Sequence, residues 1–265
     1  MERRPNIIVI NGVRQFQRHT TKQRFMIAVE LFSVIVLAAT GLPIRHSDES
    51  WAPVIYTFLG GPDVVPNIHR AAGTVLITVL IWHTAYWIRL FFKNNLAQLR
   101  KEKKMNPKNI IKSFLSQAMI MNKKDLTDVI DHFKYILFIT NKPAQHGRFI
   151  WKEKVQYYAQ YYGITLISVA GLMLWWRDEV SQVLPGIVLN AAYIAHSYEA
   201  LLALLFLFFI TWYNEFYSPE KFPIPTGFFS GYISEPQMIH EHYALYVELM
   251  TNAGLEKEIV SHHDH

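Results

Sequence analysis

The chain has 265 residues, of which 51% are hydrophobic and 14% aromatic, and its formal net charge is +5. It contains no cysteine, which excludes disulfides, covalent c-type haem attachment, zinc–thiolate sites and an iron–sulfur cluster of its own. The mean hydropathy is only +0.09, because long polar segments alternate with very apolar ones. The basic residues adjoin the apolar runs, which favours a membrane protein and argues against a nucleic-acid partner.

Four segments are long and apolar enough to cross a membrane as helices of about 20 residues. They are residues 24–43, 67–92, 155–176 and 187–216, and the third is the most polar because it contains four tyrosines. We therefore predict an all-α integral membrane protein with a four-transmembrane-helix bundle over 24–216. The segment before it, 1–23, has no long apolar run with a cleavage site, so no removable signal peptide is expected.

Lys and Arg are concentrated on one side of these four segments. Residues 1–24 carry six and residues 89–154 carry fifteen of the 26 in the chain, whereas the other two connections carry one each. Under the positive-inside rule both termini and the long loop at about 94–148 are cytoplasmic. The predicted location is a bacterial or archaeal-type cytoplasmic (inner) membrane, crossed several times.

Shorter helices are predicted in the polar parts of the chain. The cytoplasmic loop contains two candidates, "KNIIKSFLSQAMIM" and "DLTDVIDHFKYILFI". The cytoplasmic tail, 217–265, contains a short amphipathic helix near 235–253, with Ser234 as its N-cap and Pro236 in its first turn. Its apolar face is predicted to pack on the bundle or on a partner subunit, and consists of Ile239, Tyr243, Tyr246, Val247 and Met250.

Three of the twelve histidines lie within the predicted spans, and two of them share one helix. His69 and His83 are fourteen residues apart, so they project from one helix face about 21 Å apart along the axis. That distance covers most of a hydrocarbon core about 30 Å thick. His69 is expected near the outer surface and His83 toward the cytoplasmic side.

The third intramembrane histidine, His196, lies in the outer part of the fourth segment. It can reach a similar depth to His69, and two histidines from different helices would hold one haem b. The alternative is that each is a hydrogen-bonded structural histidine. His83 lacks a histidine partner at its own depth in the fourth segment, so it is a second haem ligand, a quinone contact or a structural residue.

Three charged residues complete the candidate site. Arg70 adjoins His69 and could pair with a haem propionate, or extend its charge to the headgroups. Glu30 and Glu199 lie within the first and fourth segments and could relay protons or bond a quinone. Their alternatives are a basic partner near the N-terminus for Glu30 and a contact supporting a histidine ligand for Glu199.

The chain resembles a known family over residues 14–250. The matching features are "QRF…ATGLP", "NIHRAAG", "HGRFIWKEKVQYYAQYYG", "GLMLWW", "AHSYEALLA" and "WYNEFYSPEKFP…TGFFSGYIS…EHYALY". In this order they resemble the four-helix membrane cytochrome b subunits of respiratory formate dehydrogenases, nickel–iron hydrogenases and thiosulfate reductases. The branch found with multihaem c-type cytochromes is the most similar.

This resemblance implies that His69 and His196 are the axial ligands of an outer haem b. It also implies an inner haem held by one histidine at the start of the first helix and another late in the fourth. The corresponding residues here are Ile27 and Thr211, which cannot bind haem iron. Their joint replacement points to loss of the inner haem, so one haem is expected, and two only if His83 has found another partner.

The predicted function is a non-catalytic electron-transfer subunit of a respiratory oxidoreductase complex. It would pass electrons between a partner redox subunit, such as a c-type cytochrome or an iron–sulfur protein, and quinone. One alternative is a redox-inactive membrane anchor that docks a complex after losing its haem ligands. A small transporter is a further alternative, although no inverted repeat or broken helix supports it.

Overall fold

The computed structural model describes residues 7–141, 148–217 and 226–260, without the side chains of residues 212, 214–217, 226 and 228. It divides the chain into two compact units. We call them the helical unit, which consists of Phe25–Arg89 and Ala159–Pro223, and the hairpin unit, which consists of Met1–Arg24, Leu90–Tyr158 and Ile224–His265. Each is described by itself below.

The helical unit is built mainly from four long helices and two short connecting ones. In chain order these are α1 (Thr21–Arg45), α2 (Ala52–Phe58), α3 (Val65–Phe91), α7 (Trp151–Trp175), α8 (Arg177–Val183) and α9 (Gly186–Phe206). A π-helical segment, Leu207–Tyr217, continues α9. The predicted class was all-α; the fold is mostly helical, with one small sheet in addition.

Three stretches are long and apolar enough to span a membrane: Thr21–Arg45, Val65–Lys101 and Gly186–Thr211. Little of their apolar surface is buried within the chain, as expected for helices whose outer faces contact lipid. The helix α7 has the necessary length of 25 residues, but its tyrosines make it more polar. The structure thus supports three of the four predicted spans by length and composition, and the crossing by α7 stays a prediction.

The hairpin unit contains a sheet that the sequence analysis did not foresee. Strands β1 (Ile7–Ile10) and β2 (Val13–Gln17) pair antiparallel, and β3 (Tyr232–Ser234) pairs antiparallel with the other edge of β2. Asn11 and Gly12 form the two-residue turn, with φ angles of 51° and 79°. An Asn-Gly pair is the strongest short-range hairpin signal, so this hairpin could have been predicted from "IIVINGVRQF".

The predicted tail helix is present but divided. It forms α11 (Glu235–Glu241) and α12 (Tyr243–Asn252), which are separated at His242. Ser234 occupies the N-cap position of α11 without a side-chain capping bond. The predicted apolar face packs against the sheet, in a core formed by Phe16, Ile233, Met238, Ile239, Tyr246 and Met250.

The middle loop is helical, as predicted, and ion pairs join the start of α7 to this loop and to the N-terminal segment. Its helices are α4 (Ala97–Lys101), α5 (Pro107–Leu115) and α6 (Lys123–Ile136), and the tail begins with α10 (Thr226–Ser230). The Lys154 ammonium lies 2.8 Å from the Asp125 carboxylate, and both are buried. Arg18 donates to the Glu153 carboxylate at 2.8 Å. These contacts explain why sequence-distant segments form one unit.

Candidate functional site

The structure brings His69 of α3 and His196 of α9 together. Their ring centroids are 6.2 Å apart, and the ring planes are inclined by 76°. Both side chains are partly buried, within a unit whose helices expose mostly apolar surface. Two histidines from separate helices thus meet at one depth, as the sequence analysis anticipated.

The hydrogen bond of His69 determines which of its nitrogens is free. Its Nδ1 atom lies 2.9 Å from Oγ1 of Thr40, a residue of α1 that is 1% exposed. The Thr40 hydroxyl donates its single hydrogen to the carbonyl of Val36, at 2.7 Å. With that hydrogen on Val36, the hydroxyl oxygen accepts from Nδ1–H of His69. This tautomer leaves the Nε2 lone pair available.

His196 reaches the same tautomer by another route. Its Nδ1 atom lies 2.9 Å from the carbonyl oxygen of Ile167 on α7. A carbonyl can only accept a hydrogen bond, so Nδ1 carries the proton and Nε2 has the free lone pair. A metal-binding histidine usually donates the N–H of its other ring nitrogen to a fixed oxygen, which orients the ring.

Glycines make room for both imidazoles. A Cβ atom added at Gly41 would lie 3.0 Å from Cε1 of His69, and one at Gly171 would lie 2.9 Å from Cε1 of His196. Both distances are shorter than ordinary van der Waals contact. These glycines lie inside helices, where glycine otherwise costs stability, so their packing against the histidines explains them.

Two arginines contact the surroundings of the pair: Arg70 adjoins His69 in sequence, and Arg45 reaches the residues that follow His196. Arg70, predicted to face a propionate, is exposed, and its guanidinium lies 5.5 Å from the centre of the Trp175 ring. Arg45 donates to the carbonyl oxygen of Ser197 at 2.5 Å and lies 4.5 Å from the centre of the Tyr198 ring. Arg45 therefore contacts the residues that follow His196, although the sequence analysis did not select it.

The two predicted intramembrane carboxylates both contact α7. Gln160 donates to Oε1 of Glu30 at 2.5 Å. Glu199 packs against Gly163, where an added Cβ would lie 2.8 Å from its Oε1 atom. Gln160 and Gly163 are less than one helical turn apart, so the two acids contact neighbouring positions of α7.

His83 lies on α3 and is partly buried. Ile27 on α1 is 37% exposed, and Thr211 lies in the π-helical continuation of α9. Neither of these two side chains has an atom that could bind haem iron. The structure therefore brings two imidazoles together at His69 and His196.

The spacing of the two imidazoles would suit two ligands of one haem iron. Two imidazoles that bind one metal ion from opposite sides, with bonds of about 2.0 Å, have ring centroids roughly 6 Å apart. The 6.2 Å separation agrees with this value. Among residues 7–141, 148–217 and 226–260 there is no cluster of three or more His, Cys, Asp or Glu that could hold a bare metal ion, but a haem requires only the two axial ligands.

These features define a class: a multi-pass helical membrane protein with a paired-histidine site suited to haem. Residues 28–213, which make up 186 of the 265 residues, match the family described as prokaryotic cytochrome b561, and the chain belongs to that family. This is the membrane cytochrome b subunit family of hydrogenases and related complexes, so the resemblance identified from the motifs is confirmed. No curated protein matches the chain.

The family establishes the coarser features of function. The chain is a multi-pass membrane protein of a type that binds haem b and transfers electrons as a subunit of redox complexes. Thr40, Gly41 and Gly171 lie in the motifs "ATGLP" and "GLMLWW" but were given no role from the sequence, and the Ile167 carbonyl was not selected. A helix-interior glycine was the available signal for two of them, but its relation to a particular histidine depends on tertiary packing.

Proposed function

We propose that this chain transfers electrons through one haem b held by His69 and His196. The observation that carries the proposal is the shared tautomer, since Thr40 and the Ile167 carbonyl both engage Nδ1 and leave Nε2 free. When bound, haem b would supply reversible one-electron iron chemistry. The protein residues ligate, orient and shield the group.

The surrounding residues have supporting roles in this proposal. Thr40 and Ile167 hold the two imidazole planes, and Gly41 and Gly171 allow the helices to approach them. Arg70, and Arg45 beside Ser197, provide positive charges that could pair with propionates. Each arginine lies over an aromatic ring, which limits the number of conformations that its guanidinium can adopt.

We further propose a haem content of one per chain. Ile27 and Thr211 stand where related proteins have the ligands of an inner haem, and neither can replace a histidine. His83 remains a candidate for a second haem through an additional ligand, or for a quinone contact. The stoichiometry measured below distinguishes these assignments.

Glu30 and Glu199 are proposed to handle protons for quinone chemistry. Reduction or oxidation of a quinone moves protons together with electrons. An acid is costly to place in the membrane, so its presence there favours a functional role. Gln160 holds Glu30 by a hydrogen bond, and Glu199 lies one helical turn from His196 on α9. The two acids could therefore carry protons between the cytoplasmic side and the depth of the histidine pair.

The proposed orientation places both termini and residues 94–148 in the cytoplasm. It is supported by the concentration of 21 of the 26 Lys and Arg residues in 1–24 and 89–154. In this orientation, with four spans, His69 and His196 lie near the outer surface. The partner is then a redox subunit at that surface, such as a c-type cytochrome or an iron–sulfur protein.

The redox-inactive anchor remains the second candidate, because Ile27 and Thr211 stand where the family resemblance places one pair of haem ligands. Retention of the His69–His196 pair, with its hydrogen bonds, favours electron transfer. In a redox-inactive anchor the Nε2 atoms would have no role as ligands, so the histidines need not bind haem. The two candidates therefore predict different spectra.

The deciding experiment is haem quantification on the purified protein. A pyridine haemochrome assay and a dithionite-reduced minus oxidised spectrum are measured for the unchanged chain, His69→Ala, His196→Ala and His240→Ala. About one haem b per chain is expected, lost in the first two variants and retained in His240→Ala, whose exposed side chain lies in the tail. Absence of haem from the unchanged chain would establish the anchor, and two haems would assign a ligand role to His83.

A further inference from the structure

The helix α6 has an inverted distribution of polar and apolar residues. Asp125 and Asp128 are only 4% and 9% exposed. On the opposite side, Leu126, Ile130 and Phe133 are 64%, 48% and 54% exposed. Helices of soluble proteins bury the apolar stripe and expose the charges, so the outward stripe needs an explanation.

The buried polar side is held in place by specific contacts. Lys154 pairs with Asp125 at 2.8 Å and donates to the carbonyl oxygen of Ile120 at 3.3 Å. Asp125 also accepts from the backbone of Asn122 in a capping box. Lys124 pairs with Asp128 at 2.9 Å. These bonds prevent α6 from rotating to bury its apolar stripe, because Asp125 would then lose its partner.

The apolar surface continues past the end of α6. Leu137, Phe138 and Ile139 follow directly, and Phe138 is 92% exposed. Phe138 has a φ of +58°, a conformation that is unfavourable for a bulky residue. The backbone at Phe138 is thus strained, and its aromatic side chain is exposed.

The charge of the loop that contains α6 indicates which kind of surface covers the apolar stripe of this helix. Residues 90–141 carry ten Lys and Arg against four Asp and Glu, an excess of six positive charges. All four acids are paired with lysines. The neighbouring α5 repeats the combination, since Ile111 and Leu115 are exposed on the same helix as Lys108 and Lys112.

We propose that α6, with the Leu137–Ile139 segment, is an interfacial helix that inserts its apolar stripe into an anionic leaflet of the membrane. Apolar side chains flanked by lysines are the pattern of helices that lie in the headgroup region, buried by about 5–10 Å. The loop follows the candidate span Val65–Lys101, which keeps α6 within reach of the bilayer surface. Negatively charged phospholipids complement the excess of basic residues. The proposal does not depend on haem binding.

The chain has no cysteine, so single-cysteine reporters test the proposal directly. Leu126→Cys, Ile130→Cys and Phe133→Cys are each labelled with an environment-sensitive fluorophore, with the full-length protein in lipid nanodiscs. Thr127→Cys is the matched control, because Thr127 is exposed on α6 but lies about 100° around the helix from Leu126. Brominated lipids report contact with the bilayer, and iodide reports access from water.

We expect bromine quenching of the three stripe reporters to be at least about twofold stronger than that of Thr127→Cys, with weaker iodide quenching. We also expect the difference to grow when about 30% phosphatidylglycerol replaces phosphatidylcholine. Equal quenching at the stripe and at Thr127 would overturn the proposal, and so would shielding that appears only with a partner protein. If phosphatidylglycerol did not increase the quenching difference between the stripe and Thr127, the assignment of anionic lipid would be overturned.

Discussion

The Thr40 hydroxyl and the His69 imidazole form a single hydrogen-bonded unit across α1 and α3. Their Oγ1 and Nδ1 atoms are 2.9 Å apart, and the Thr40 hydroxyl hydrogen is committed to Val36. A threonine in the apolar part of α1 therefore sets the tautomer of a histidine on another helix. This relationship gives the most direct test of how the site is organised.

Thr40→Val removes the hydroxyl but preserves the shape of the side chain. The His69 ring loses the acceptor that orients it, so we expect haem affinity to fall roughly tenfold, in the range typical for second-sphere partners of metal-binding histidines. Haem retention during titration with a competing apoprotein measures the change. Thr165→Val is the control, since the Thr165 hydroxyl donates to the carbonyl of Tyr161 within its own helix, α7. Equal retention in both variants would show that Thr40 does not orient a ligand.

Gly171→Ala tests the close approach of α7 to His196. The added Cβ would lie 2.9 Å from Cε1 and 3.2 Å from Nδ1 of the imidazole, so the ring must move away from the Ile167 carbonyl. We expect the haem content to fall by more than half, or the absorbance spectrum to shift.

Gly73→Ala is the matched control for that substitution. Its Cβ would meet only Cδ2 of Leu37, at 3.9 Å, which is ordinary contact. A helix-interior glycine replaced without a clash should stabilise the protein by about 0.5–1 kcal/mol. If Gly171→Ala and Gly73→Ala both kept full haem, the close contact of Gly171 with His196 would not be needed for haem binding.

Glu30→Gln tests proton handling near Gln160. The substitution retains a side chain that can hydrogen-bond Gln160 but removes the acid. We expect the haem spectrum to be unchanged, while oxidation of the reduced haem by a soluble quinone analogue slows about tenfold or more in stopped flow. Glu179→Gln, outside the four long helices on α8, should react at the original rate. No difference between the two variants would remove Glu30 from the proton path.

Lys154→Met tests the buried ion pair that fixes α6. It leaves the Asp125 carboxylate buried without its cation, which should destabilise the hairpin unit by about 3–5 kcal/mol. Adding Asp125→Asn removes the unpaired charge and keeps an acceptor for the Asn122 backbone, so most of the loss should be recovered. Hydrogen exchange of the α6 amides provides the measurement. If the double variant is no more stable than Lys154→Met, the charge is not the cause.

The hairpin unit should also lose stability in mild acid through His19. Burial, together with the neighbouring Arg18, lowers the pKa of His19 from 6.5 to about 4, with Glu153 acting in the opposite direction. Because the folded state binds this proton more weakly than the unfolded state, stability is full above about pH 6.5 and declines as the pH falls toward 4.

His19→Gln should remove that pH dependence. Between pH 7.5 and pH 5 we expect hydrogen exchange of the β2 amides, corrected for intrinsic rates, to accelerate about tenfold in the unchanged chain and much less in the variant. Arg148 and Arg24 also lie close enough to disfavour protonation of His19. An equal acceleration in both proteins would assign the acid sensitivity to another group.

The sequence by itself determined the helical class, three of the spans and the residues from which the site is drawn. Hydropathy and charge are local properties, so a run such as 69–83 indicates its membrane location and histidine spacing without any knowledge of the other helices. The Asn11-Gly12 turn was equally local, and the hairpin could have been predicted from it. The family resemblance rested on motif order, which is also contained in the chain.

Only the tertiary structure decided how these elements meet. The pairing of His69 with His196, the Thr40 hydrogen bond and the contact of Gly171 with an imidazole depend on the relative depth and rotation of four helices, which periodicity does not determine. The packing of the tail against β2 and the outward stripe of α6 depend on partners far away in sequence, such as Phe16 and Lys154. These features arise because side-chain contacts, and not local propensity, select one arrangement of helices among many that satisfy the same hydropathy pattern.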